Sequence, residues 1–223
     1  MAPQYNPIYE EPAYGLSEAA AYLKIPYQTL RYWLTGFHTR AAVVLPAESN
    51  PVRLSFSNLL ECQVLAGIRK IYDVKLPRVR TALNQITSKY PQPHPLITQA
   101  FLTDGKNLFI EVVGKIINVS QPGQMQLNLY EMYLERIKID PNGLVKFFPF
   151  VVQPGSAEPQ SIEINPLVGF GKPVIAGTGI STAIIASRFN ARDSISDLAA
   201  EYGCSSQQIE EAIRWELPLP VAA

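Results

Sequence analysis

Between Leu16 and Trp33 the chain reads LSEAAAYLKIPYQTLRYW, and few arrangements satisfy that stretch other than two short helices meeting at a tight corner. Ser17 is a candidate cap for the first helix, with Glu18 in its positive first turn. Ala20 offers the small side chain needed where two helices cross closely. Pro26 cannot sit in a helix interior but suits the first turn of a second helix, so Lys24, Ile25 and Pro26 predict the corner, with Ile25 closing it from below. Leu23, Ile25, Leu30 and Trp33 then point to a shared core. Tyr27, Gln28, Thr29, Arg31 and Tyr32 are left on or near the open face. That face has the chemistry of a groove reader: Gln and Arg make bidentate bonds to adenine and guanine edges, and Thr and Tyr hold phosphates. The competing reading is a purely structural helix pair.

The flanking sequence extends the pattern. Val43 to Phe56, with a Pro/Asn/Ser-rich tip at Pro46 to Pro51, predicts a two-stranded hairpin. Ser57 is read as the cap of a helix over Asn58 to Tyr72, where Leu59, Leu60, Val64, Leu65, Ile68 and Ile71 recur at helical spacing. Lys75-Leu76-Pro77 opens a further helix through Ile86. Taken together, residues 13–90 resemble the MerR-type winged helix-turn-helix, in which a short EAA helix leads to a TLRYW recognition helix. Lys24 stands where that family usually has glycine and Pro26 where it usually has serine. The resemblance implies DNA contacts by Tyr27, Gln28, Thr29, Arg31 and Tyr32, with Arg53 as the wing's phosphate or minor-groove contact.

Charge agrees with this division of labour. Residues 1–90 carry ten Lys/Arg against six Asp/Glu, a net of +4, residues 91–160 five against six, −1, and residues 161–223 four against seven, −3, summing to the zero of the whole chain. A basic amino-terminal module suits a phosphate-facing surface, and +4 is modest enough to suggest two copies sharing one site.

With 223 residues, 47% of them apolar, the chain can bury one large core or two small ones. No apolar run approaches the ~20 residues that span a bilayer, and MAPQYNPIYEEPAYG lacks the regions of a signal peptide, so a cytoplasmic protein without membrane contact is expected. Cys62 and Cys204 are too separate for a disulfide framework or metal site. His38 and His94 have no Cys, Asp or Glu at ligand spacing and read as ordinary loop histidines. No cofactor or metal is expected. No nucleophile, base and orienting acid can be grouped by motif, so an enzyme is not expected either.

Proline and glycine punctuate the rest. Residues 1–12 read as an arm that packs on a partner or stays mobile. YPQPHP at Tyr90 to Pro95 ends the first module. A middle region over 91–160 predicts short antiparallel strands around Asp104-Gly105, a helix over Met125 to Ile137, and an apolar strand at Leu144 to Val152 whose Pro149 makes it an edge or an end. Such edges invite pairing, so dimerisation is expected here. QPGSAEPQ, Gln153 to Gln160, is a linker.

The last segment, residues 161–223, opens on a short strand at Ser161 to Ile164 and a turn at Asn165-Pro166. Three helical stretches follow, Thr182 to Phe189, Ser194 to Tyr202 and Ser205 to Leu217. Ser194 and Ser205 or Ser206 are caps and Gly203 a stop. Lys172 is followed by Pro173, which breaks the GxxxxGK[ST] spacing of a phosphate loop. Gly171, Gly177 and Gly179 therefore read as turn glycines. The stretch from Gly171 to Ser181 and the helices after it resemble the domain of unknown function 433, departing at Gly179 and Ser181, where that family usually has arginine and proline.

The whole chain is thus α+β, mainly α: a winged helix-turn-helix, a small strand-bearing middle and a small helical domain. In that order the parts resemble the VapB-type antitoxin family. The resemblance implies operator binding by a homodimer that represses its own genes. It also implies a partner, a VapC-like ribonuclease with a PIN domain that holds Mg²⁺ or Mn²⁺ in a carboxylate cluster. Candidate contacts to that toxin are Arg188, Arg192 and Arg214, whose guanidinium groups match carboxylates, and the apolar tail residues Leu217 and Leu219. The alternative is a dimeric transcriptional regulator with no toxin.

Overall fold

The structure, a computed structural model, describes residues 6–36, 41–72, 76–77, 80, 94, 96–97, 132–139, 145–152 and 158–217. The strands expected around Asp104-Gly105, most of the helix expected through Ile86, His38 and Leu219 lie outside them. The chain forms two compact units, Met1–Val145 and Lys146–Ala223, each a mixture of helices and very short strands.

In the first unit, α1 (Leu16–Leu23) and α2 (Tyr27–Thr35) bury Ala19, Ala20, Leu23, Leu30, Trp33 and Leu34. The corner between them turns on Lys24, whose φ of 53° and ψ of 43° are left-handed. A lysine therefore does the work that a glycine does more cheaply. Ile25 is half-buried. Gly15, not Ser17, is the N-cap of α1, and the Glu18 carboxylate reaches back to the Gly15 N–H at 3.3 Å. The sequence cue was displaced by two residues because Gly15 is simultaneously the end of a strand.

That strand, β1 (Tyr14–Gly15), was not foreseen, being too short to show an alternating pattern. It pairs antiparallel with β3 (Val52–Leu54), Tyr14 opposite Leu54 and Gly15 opposite Arg53. The other edge of β3 takes β2 (Glu48–Ser49), Glu48 opposite Arg53 and Ser49 opposite Val52. The hairpin is tighter than expected, since Glu48 and Ser49 are strand residues and the turn is Asn50-Pro51, a cis peptide. After α2, the N–H groups of Val43 and Val44 donate to the Trp33 carbonyl at 2.7 and 3.2 Å, satisfying an acceptor that the helix end leaves open.

α3 (Phe56–Tyr72) is capped by Ser55 rather than Ser57. The Asn58 N–H donates to Ser55 Oγ at 3.1 Å, and the Ser55 N–H donates to Asn58 Oδ1 at 3.2 Å, the reciprocal arrangement of a capping box with Asn in place of Glu. Every residue from Phe56 to Ile68 is buried, which makes α3 the central element of its unit. Further along, Tyr133 and Leu134 are helical and buried, and the chain is already extended at Ile137–Ile139 (β4). The helix expected over Met125 to Ile137 thus stops earlier than its apolar spacing indicates.

The boundary between the units falls within β5 (Val145–Phe147), and in the second unit Phe147 bridges Ile164 with backbone bonds of 3.0 and 2.8 Å. Phe150 and Pro149 are buried but irregular. β6 (Ile162–Glu163) pairs antiparallel with β7 (Val174–Ile175), and the turn after β7 closes with the Ile175 N–H on the Ile180 carbonyl at 2.8 Å. Helix α4 (Thr182–Asn190) starts after Ser181 without a side-chain cap bond, and α5 (Ile195–Tyr202) and α6 (Ser206–Glu216) follow where their serine caps put them. Ser194 accepts from the Asp197 N–H, Ser205 from the Gln208 N–H, and Gly203 ends α5 at φ 64°. Ile185, Leu198, Ile209, Ala212 and Trp215 bury their side chains.

Candidate functional site

The geometry of α2 follows from its period. Leu30, Trp33 and Leu34 face the core, which leaves Tyr27, Gln28 and Arg31 exposed and Thr29 and Tyr32 half-buried. The half-burial of Tyr32 has a cause that lies far away in sequence: the guanidinium of Arg80 sits over its ring, 5.4 Å from the centroid, within the range of a cation–π contact. Arg80 also donates from Nε to the Ala41 carbonyl at 3.0 Å, while its Nη1 and Nη2 are buried with no hydrogen-bond partner among the described residues. Arg69 stacks in the same manner over Trp33, at 5.7 Å. Two arginines of the basic amino-terminal segment therefore back the helix rather than extend its outer row. Arg53 is half-buried, and its Nη2 donates to the Ala13 carbonyl at 3.1 Å, clamping β3 to the residue before β1.

The first unit also holds a charged cluster that the sequence did not reveal. His94, expected to be an ordinary loop histidine, lies between two carboxylates: Nδ1 is 2.8 Å from Glu61 Oε2 and Nε2 is 2.6 Å from Glu10 Oε2. The Leu96 N–H donates to the other oxygen of Glu61 at 3.4 Å, and Ser57 Oγ donates to Glu10 Oε1 at 2.6 Å. Burial alone would lower the pKa of the imidazole. The hydrogen bonds and charges of Glu10 and Glu61 outweigh it and push the value up to about 9, so at neutral pH the ring is an imidazolium donating from both nitrogens. For Glu10, burial pulls upward, and its bonds to His94 and Ser57 bring the pKa below the ordinary carboxylate value.

This constellation is a clasp and not a catalytic triad. Both ring nitrogens are engaged with carboxylates, and the Ser57 hydroxyl donates to Glu10, whose lowered pKa makes it a weak base, so no free imidazole faces that hydroxyl. What the clasp holds is the amino-terminal segment. Tyr9 is buried, its ring 5.4 Å from that of Phe56, and its hydroxyl accepts from the Val145 N–H at 3.0 Å. Asn6 to Pro12, expected to reach a partner or stay mobile, instead packs on its own unit.

Burial, followed by the charge of Glu61, raises the Cys62 thiol well above its ordinary value, and burial also raises Cys204. Both are neutral thiols rather than nucleophiles. Among the described residues no group of three or more His, Cys, Asp or Glu could hold a metal ion, and no helix is long and apolar enough to cross a membrane.

In the second unit the three candidate arginines differ. Arg188 donates from Nε to Asp193 at 2.6 Å and from Nη1 to Glu201, and its guanidinium covers the Tyr202 ring at 5.5 Å. The bonds to Glu201, Tyr202 and Asp193 raise its pKa further. Arg214 pairs with Glu211 at 2.6 Å and with Glu210 at 3.8 Å. Arg192 is exposed at φ 83° and has no ion pair among the described residues. Leu217, 57% exposed, follows α6 directly. The glycine turn is held by Glu163, a buried carboxylate that accepts from Asn165 Nδ2 at 3.2 Å and from the Gly177 N–H at 3.4 Å and lies 3.6 Å from Lys146 Nζ.

Comparison with known proteins adds four findings. Residues 162–215 match the family model described as "Protein of unknown function (DUF433)". The "Putative antitoxin VapB45" of Mycobacterium tuberculosis (strain ATCC 25618 / H37Rv) is 27% identical, over 92% of this chain and 94% of its own length. From the same organism, "Uncharacterized protein Rv2308" is 24% identical over 90% of this chain and 88% of its own. The crystal structure of Rv2018 from Mycobacterium tuberculosis aligns with a TM-score of 0.68 at 25% identity, covering 91% of this chain and 98% of that one. Along nearly its whole length, then, the chain is similar to a protein that carries an antitoxin name.

Proposed function

We propose that this chain is a DNA-binding antitoxin. In this reading residues 13–90 are a winged helix-turn-helix that binds operator DNA, and residues 91–160 hold two copies together. Residues 161–223 bind and neutralise a VapC-like PIN-domain ribonuclease, and the protein represses its own gene pair. The observation that carries the DNA half is the division of α2, with Tyr27, Gln28 and Arg31 outward and Leu30, Trp33 and Leu34 inward. Had the row from Tyr27 to Tyr32 been packed inside, the reading would have no surface to work with. The toxin half is supported by the similarity to a protein named as an antitoxin.

On DNA, α2 enters the major groove with Gln28 and Arg31 on base edges and Tyr27, Thr29 and Tyr32 on the backbone. The β2–β3 hairpin brings the free edge of the Arg53 guanidinium to a phosphate or into the minor groove. A homodimer would set two such helices roughly 34 Å apart, one turn of the duplex, on a palindromic site. For the toxin, Arg192 meets a carboxylate without giving up a bond, whereas Arg188 and Arg214 must exchange their own acidic partners for the toxin's. Leu217 and Leu219 supply apolar contact.

Operator fragments from upstream of the gene test the DNA half. Arg31→Ala should weaken binding by about 1–3 kcal/mol, roughly 5- to 150-fold, in a gel-shift titration at fixed salt. Unchanged affinity would remove Arg31, and with it the groove-facing orientation of α2, from the interface.

A further inference from the structure

The second unit exposes one large aromatic side chain almost completely. Phe170 is 96% accessible in a stretch, Gly169-Phe170-Gly171, where all three residues have positive φ, 56°, 55° and 75°. Glycine visits that region freely, but a phenylalanine there is an outlier whose Cβ crowds its own backbone. Both usual reasons for such a residue are missing. Its ring does not fill a core, and its backbone is not relaxed.

The surrounding bonds force the geometry. The Val168 N–H donates to the Asn165 carbonyl at 2.9 Å, Gly171 N–H to Val168 carbonyl at 3.1 Å, and Lys172 N–H to Gly169 carbonyl at 3.0 Å. The Leu167 N–H donates to Asn165 Oδ1 at 3.0 Å. Gly169 lies so close to β7 that a Cβ on it would stand 2.9 Å from Val174 Cγ1. The loop is therefore a rigid mount that holds the ring away from the protein. Strain retained beside an exposed apolar group marks a binding feature, and a pre-ordered aromatic loses little freedom on docking.

Charge identifies the kind of surface it meets. Residues 146–223 carry five Lys/Arg against eight Asp/Glu, net −3. Of these cations Lys146, Arg188 and Arg214 are paired with carboxylates of the same unit, while Lys172 and Arg192 are exposed. Asp197 and Glu216 are exposed, and among the described residues their partners are the hydroxyls of Ser194 and Thr182. A unit of net −3 favours a basic protein over nucleic acid or another copy of itself.

We infer that Phe170 is the anchor by which the second unit docks on its partner, inserting into an apolar pocket set in a positively charged protein surface. This deepens the antitoxin reading and rests on it. The partner's basic pocket closes around the ring, while exposed carboxylates such as Asp197 and Glu216 steer the approach.

The test uses the full chain and, as probe, the purified PIN-domain protein encoded beside its gene, with affinities from calorimetric titration. Phe170→Gly removes the ring and relieves the backbone together. It should melt at or above the wild-type temperature, keep operator binding and lose at least tenfold in affinity for the probe, while Phe170→Trp retains it. Binding of the glycine variant within twofold of wild type overturns the anchor and leaves the antitoxin reading standing. Failure of the wild-type chain to bind the probe overturns both. A drop in oligomeric mass of the glycine variant alone, measured by light scattering, would assign Phe170 to self-association and also overturn the inference.

Discussion

Titration of His94 gives the structure a quantitative test. Its pKa rises from 6.5 to about 9, and at 1.36 kcal/mol per tenfold change in proton affinity the folded state holds that proton about 3 kcal/mol more tightly than the unfolded chain. The side chain is only 17% exposed and Glu61 6%, so water and salt screen the Glu61 arm of the pair weakly. A histidine whose folded pKa is raised contributes all of that stability below 6.5 and loses it progressively as the pH climbs through 9. Glu10 has the opposite sign. Its lowered pKa contributes stability above the ordinary 4.5 that disappears as the pH falls through its folded value. Denaturation of the wild type and of His94→Gln at half-unit steps from pH 5.5 to 10 isolates the histidine, because other groups cancel in the difference. The gap between the two proteins should narrow by about 3 kcal/mol across pH 6.5 to 9.5, roughly 6–12 °C in melting temperature for a chain of this size. A difference that is flat over that range would refute the double-carboxylate clasp.

Two packing predictions accompany it. Gly67 lies inside α3, where alanine would normally gain about 1 kcal/mol in helix propensity, but a Cβ there would stand 2.9 Å from Tyr133 Cγ and 3.0 Å from its Cβ. Those atoms are the rigid root of the side chain, so Gly67→Ala should destabilise by about 1–3 kcal/mol in urea unfolding, and Tyr133→Ala in the same chain should abolish the increment. Ser55→Ala removes the acceptor for the buried Asn58 N–H and should cost about 1–2 kcal/mol, with Ser55→Thr recovering most of it in the same assay.

Much of the local structure was legible because its causes are local. Apolar spacing and a proline put α1 and α2 on either side of Lys24, and the serine caps of α5 and α6 act within three residues of themselves. Cap assignments slipped where two signals compete in a short window. Ser17 lost to Gly15 because Glu18 reaches back to the strand end, and Ser57 lost to Ser55 because its hydroxyl is drawn off by Glu10. The outward row on α2 was also readable, since once Leu30, Trp33 and Leu34 are assigned inward the 3.6-residue period fixes which neighbours face out.

What resisted reading depends on residues that only the fold brings together. Glu10 and His94 are 84 positions apart, Glu61 and His94 33, Tyr9 and Val145 136, Arg53 and Ala13 40. A spacing rule for ligands or triads covers a few residues along one helix or turn, so a histidine in a proline-rich stretch with no acid nearby looks inert. Phe170 failed for a different reason. An aromatic between two glycines shows no pattern to read, and the three consecutive positive φ angles that accompany its exposure are visible only in the fold. Neither cause leaves a periodic trace, since one is a coincidence of distant elements and the other a backbone state that the residue itself disfavours. Sequence rules work best where each residue follows its own preference. Under the antitoxin reading the places to probe for partner contact are therefore those where the fold overrides that preference, and Phe170 and the exposed, left-handed Arg192 are both of that kind in the second unit.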